Sequence, residues 1–97
     1  MSRIVYKYPF SVEPVRTHLV LDLPADAKVV LFGYQGNAPT LWIMHSEPRP
    51  DELVRKDYVL FGTGHTLPDL DFDLEWVGSA QHPSETLVLH CFEDVTQ

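Results

Sequence analysis

Basic residues are scarce in this chain. Seven Lys and Arg stand against fourteen Asp and Glu, for a net charge of −7. Sequence-independent grip on DNA or RNA lives on phosphate neutralisation, so this balance argues against a nucleic-acid partner, sequence-specific or general. It leaves room for one small anionic ligand held by a local Arg or Lys. Cysteine is almost absent too. Cys91 alone cannot close an internal disulfide, and no zinc-ligand spacing is present. No apolar run approaches the roughly 18–20 residues of a membrane span. Arg3 and Lys7 are not followed by the apolar core of a secretory signal. A reducing, cytoplasmic setting is the expectation. There is no fixed-period repeat and no low-complexity tract.

What is present is apolar and aromatic. Across 97 residues, 44% are hydrophobic and 11% aromatic, enough for a single ordered domain over residues 1–97. Alternating and β-branched runs predict strands over 3–8, 16–23, 28–35, 39–47, 57–61, 74–81 and 85–93. The run 51–56 is open between a helical turn and strand, and 94–97 are expected to fray. The first strand, ended by Pro9, is expected at a sheet edge. Lys28–Gln35 is apolar on both faces and is expected to be central. Gly36-Asn37 marks a hairpin joining the third and fourth strands, since both residues accept positive φ. A second hairpin joins the sixth and seventh across His82-Pro83-Ser84. Seven short strands at intervals near a dozen residues predict an all-β antiparallel sandwich or partly closed barrel with little helix.

Few residues carry chemistry. Of the five histidines, no pair sits at metal-ligand spacing within one element. His90, between Leu89 and Cys91, reads as a satisfied core or sheet-face histidine, and His82 as an exposed turn residue. Cys91 and His90 are adjacent in a strand and point to opposite faces, so they cannot share a site. Ser46, Ser79 and Ser84 lie in no nucleophile elbow. The acids are scattered, as a solvated surface would have them. No enzyme, cofactor or metal site is read here. The one loop with a binding character is Gly62-Thr63-Gly64-His65, which follows a strand and is closed by Pro68. It is not a phosphate-binding P-loop, because the lysine and following helix are missing. Its glycines permit close backbone approach, Thr63 offers a hydroxyl and His65 a ring. A glycine turn kept for geometry is the competing explanation. Tyr34, Trp42, Tyr58 and Trp76 are large aromatics, most of them expected in the core, any exposed one a stacking platform for a base.

The succession Tyr6-Lys7-Tyr8-Pro9, Leu23-Pro24, Pro39-Thr40-Leu41-Trp42, Phe61-Gly62-Thr63-Gly64-His65, Trp76-Val77-Gly78 and His90-Cys91-Phe92-Glu93 resembles a widespread family of small phage proteins. The resemblance extends over nearly the whole chain. It implies an immune-evasion sponge, an oligomer that sequesters the cyclic nucleotide signals of bacterial defence such as CBASS. On that reading a cyclic dinucleotide or trinucleotide is held by Gly62, Thr63, Gly64 and His65, with Trp42 stacking and Arg3 or Arg16 supplying charge. A homo-oligomer, dimer or tetramer, follows from the apolar residues carried on both strand faces. The alternative is a protein-interaction module that blocks a host factor, its acidity imitating nucleic acid.

Overall fold

The structure is a computed structural model that describes residues 2–10, 18–49, 51–64 and 73–95. Seven strands follow in order: β1 (Ile4–Pro9), β2 (His18–Pro24), β3 (Lys28–Gln35), β4 (Ala38–His45), β5 (Leu53–Gly62), β6 (Leu74–Gln81) and β7 (Val88–Asp94). Among the described residues there is no helix. The strands form two antiparallel sheets, β1-β4-β3 and β2-β5-β7-β6, that stay separate, so the fold is a sandwich and not a barrel.

Alternation decides which residues fill the space between the sheets. Leu41 and Ile43 of β4, Tyr58 and Leu60 of β5, and Cys91 of β7 are buried there with Phe10, Leu23 and Phe32. Phe10 and Phe32 meet edge to face, with ring centroids 6.2 Å apart. The sheets come closest along β3 and β6, where a Cβ on Gly78 would stand 3.1 Å from Cβ of Phe32. Glycine at position 78 is therefore what lets the two strands approach. Burial, and after it the charge of Glu93, pushes the Cys91 thiol up to about 12.

The β3–β4 hairpin forms at Gly36-Asn37 as expected, with Gln35 paired to Ala38. Only Gly36 takes positive φ (60°), so the turn follows the pattern that needs glycine at its first central position. The expectation of a central third strand is corrected: β4 is central in its sheet and β3 is an edge. Its two-faced apolar character comes from Val30, at a bulge, and Leu31 beside it, which remain about half exposed. β1 is an edge, as Pro9 indicated. The 51–56 run resolves as strand from Leu53 onward. Residues 85–87 belong to the hairpin loop instead of β7, where His82 N–H donates to Leu87 O at 2.8 Å. The C-terminal end is held further than expected, because Asp94 is in β7 and Val95 N–H donates to Asp73 O.

A polar cluster sits at the end of the three-stranded sheet. His45 is completely buried, its Nδ1 2.7 Å from Ser46 O and its Nε2 2.7 Å from the Tyr8 hydroxyl. A carbonyl only accepts, so Nδ1 carries the hydrogen and the Tyr8 hydroxyl donates to Nε2 when the ring is neutral. Tyr6 stacks on the same ring at 4.2 Å. Asp26 then accepts from both N–H and hydroxyl of Ser46, each at 3.1 Å. Both ring nitrogens are satisfied, which makes His45 a structural tie between β1 and β4.

Candidate functional site

The outer face of the four-stranded sheet carries an aromatic row and, beside it, a chain of polar groups. Register places Val59, Phe92 and Trp76 side by side across β5, β7 and β6. The next row outward is Phe61, His90 and Ser79. Directly opposed residues in antiparallel strands share a face, so these side chains are neighbours by construction. Phe61 and Phe92 meet edge to face at 6.0 Å. A bulge at Val77 shifts the register of β6 between Trp76 and Gly78. Bulges re-aim side chains. Here Trp76 stays on the outer face, 65% exposed.

Four residues are then joined, two from β6, one from β7 and Thr63 just past the end of β5. Trp76 Nε1–H donates to Ser79 Oγ at 3.1 Å. Ser79 Oγ lies 2.6 Å from His90 Nδ1. Thr63 Oγ1 lies 2.7 Å from His90 Nε2. Thr63 is fixed in place because its own N–H donates to Val88 O, prolonging the β5–β7 ladder past Gly62. Gly64 follows with φ of 87°, a conformation that favours glycine and turns the chain away from the strand. Chemically, the imidazole could draw a proton from either hydroxyl. Yet its second nitrogen is held by another hydroxyl in place of a carboxylate, and no described carboxylate bonds to the group.

The expected site residues divide accordingly. Gly62, Thr63 and Gly64 lie at this end of β5, and Thr63 is part of the joined group. Trp42 is elsewhere: it belongs to the three-stranded sheet, between Lys7 and Leu31 in register, with its ring packed 3.8 Å from where a Cβ on Gly33 would be. Arg3 precedes β1 in that same sheet, and its charge acts on Asp26. Arg16 and His65 lie outside the described residues. The residues that sequence reasoning missed are His90 as the hub, Ser79, and Trp76 as the exposed aromatic. The Ser79–His90 pairing was accessible in principle from the register of the β6–β7 hairpin, but the hairpin loop runs to Leu87 instead of ending at Ser84, which displaces a simple count.

Open clefts flank the sandwich among the described residues. One of about 320 Å³ is lined by Lys28, Lys56, Tyr58, Glu75, Trp76 and Glu93 among others. In it Lys56 Nζ lies 3.4 Å from Glu93 Oε2. Burial, then the Glu93 charge, pushes the Tyr58 phenol well above its usual range. No group of three or more potential metal ligands is found among the described residues. No helix among them is long and apolar enough to cross a membrane.

Over its full length, residues 1–97, the sequence matches the family model DUF7352, a domain of unknown function. The chain belongs to the DUF7352 family. No curated protein and no solved structure matches it.

Proposed function

We propose that this protein is a non-enzymatic binding protein that takes a cyclic dinucleotide or trinucleotide on the outer face of its four-stranded sheet. In the phage setting its resemblance implies, binding sequesters a signal of bacterial defence. The observation that carries this reading is Trp76, exposed to 65% and tied through its indole N–H to Ser79. An exposed indole tethered beside hydroxyl and imidazole groups is a platform for a base, each stack being worth roughly 1–3 kcal/mol. The net charge of −7 does not weigh against it locally, since the row of Phe61, His90 and Ser79 contains no acid. The open edges of the three-stranded sheet support assembly with a second copy of the chain: Ile4 and Val5 on β1, Val30 and Leu31 on β3 are all about half exposed.

A thermal-shift screen against cyclic dinucleotides and trinucleotides tests the proposal. A ligand at 100 times its Kd adds roughly 2.7 kcal/mol of stability, an easily read shift. No shift with any member of the panel ends it. The exposed Val30 and Leu31 on an edge strand favour a second reading, a module that blocks a host protein. Retention of a host protein on purification, with no bound nucleotide, is its signature.

A further inference from the structure

We infer that Thr63, His90 and Ser79 form a proton-coupled oxyanion site, whose ligand group is a phosphodiester or similar phosphoryl oxygen. This rests on the nucleotide reading above and names the part of the ligand that these three residues hold. It follows from counting hydrogens. A neutral imidazole has one N–H and one acceptor nitrogen. If Nε2 carries the hydrogen, it donates to Thr63 Oγ1, Ser79 donates to Nδ1, and only the Thr63 hydroxyl hydrogen is free to point outward. If Nδ1 carries it, the ring donates to Ser79, Thr63 donates to Nε2, and only the Ser79 hydrogen is free. Either way the neutral site offers one outward donor.

The imidazolium changes that count. Both nitrogens donate, so both hydroxyls accept, and both hydroxyl hydrogens turn outward on either side of a positive charge. Trp76 reinforces the outcome: its N–H occupies one lone pair of Ser79 Oγ, the imidazolium takes the other, and the Ser79 hydrogen has no remaining use inside the group. Two donors flanking a cation are what an oxyanion takes, with charge-assisted bonds roughly twice as strong as neutral ones. Among the described residues, no acid is paired by register with Phe61, His90 or Ser79. Facing His90 are Phe61 and Thr63 from β5, Ser79 and Trp76 from β6, and Val88 and Phe92 along β7. Among the described residues the nearest acids on this face by register are Asp57 and Asp94, paired with each other beyond the Val59–Phe92 row. By linkage an anion that prefers the charged ring must also raise the ring's hold on its proton, so anion binding to the neutral ring is accompanied by uptake of up to one proton.

Sulfate is the probe, because its charge is constant over the range in which histidine titrates, whereas inorganic phosphate changes its own. Its affinity is read from the shifts of the His90 ring resonances in NMR at about pH 5 and about pH 8. Wild type is expected to bind sulfate markedly more tightly at about pH 5 than at about pH 8. His90→Gln keeps a polar side chain but is expected to bind weakly and equally at both pH values, read from backbone amides of β5 and β7. Thr63→Val and Ser79→Ala should each weaken sulfate at acid pH while the fold, followed by the same spectra, is retained. Equal affinity of wild type at the two pH values, no binding at either, or a His90→Gln variant that matches wild type, overturns the inference. A cyclic nucleotide that binds through Trp76 without pH dependence also defeats it and leaves the nucleotide reading standing. Sulfate binding with the stated pH dependence, in a protein that takes no nucleotide, does the reverse.

Discussion

Thr63 and His90 are 27 residues apart in the chain, yet Thr63 Oγ1 lies 2.7 Å from Nε2 of His90 at the solvent side of the sheet. An exposed hydrogen bond between neutral groups contributes about 1 kcal/mol or less to stability. Thr63→Val is therefore expected to leave the melting temperature nearly unchanged and to weaken ligand binding. A large loss of stability with unaltered affinity would make the Gly62-Thr63-Gly64 segment a structural turn instead. Denaturant melts and titrations on the same samples decide.

Gly78 and Phe32 set how closely the sheets approach. A methyl group at position 78 would press on Cβ of Phe32 at 3.1 Å, a backbone-proximal atom with little freedom to yield. Gly78→Ala should cost about 1–3 kcal/mol, as overpacking does. Leu41→Ala, at a side chain with no exposure, should cost about 2–5 kcal/mol by leaving a cavity. Chemical denaturation measures both.

Asp26 accepts two hydrogen bonds from Ser46, and its carboxyl is held below the usual value of 3.8, first by the Ser46 N–H and against a smaller opposing effect of burial. A depressed folded value means stability that is fully present above the unfolded value and lost as pH falls through the folded one. Asp26→Ala should therefore be less stable than wild type at neutral pH. The two melting curves should converge in acid, below the unfolded value. A gap independent of pH would show that the charge of Asp26 is immaterial.

Cys91 is buried with its thiol pushed up to about 12, so almost none of it is thiolate at neutral pH. A thiol reagent should label it only as fast as the protein opens, and at once in denaturant. Rapid labelling of the native protein would contradict the core described here.

Exposed apolar side chains on β1 and β3 should be covered by a second copy. Light scattering is expected to give at least a dimer mass at micromolar concentration. A clean monomer mass would remove the assembly from the proposal.

The sequence was most legible where the determinants are local. Gly36-Asn37 between two alternating runs fixes the β3–β4 hairpin, and Pro9 marks an edge strand. Strand order was not legible, because β3 is apolar on both faces whether it is central or, as found, an edge with Val30 and Leu31 outside. The candidate site was half legible. Glycines around a hydroxyl pointed to Thr63, but its partners are brought together only by non-local pairing. His90 looked like a satisfied sheet-face histidine, and so it is: what satisfies it are Thr63 and Ser79. Trp42 and Trp76 were indistinguishable as aromatics in strands, and the sheet assignment separates them.

The outer-face site is tested most directly by isothermal titration of the cyclic nucleotide panel into wild type, Trp76→Ala and Trp42→Ala. Trp76 is exposed, so its loss should change stability by no more than about 0.5 kcal/mol. Its loss should weaken a binding nucleotide by about 1–3 kcal/mol, roughly fivefold to over a hundredfold. Trp42→Ala should bind as wild type does. Affinity that survives the loss of Trp76, or falls with the loss of Trp42, would contradict a ligand seated on this face.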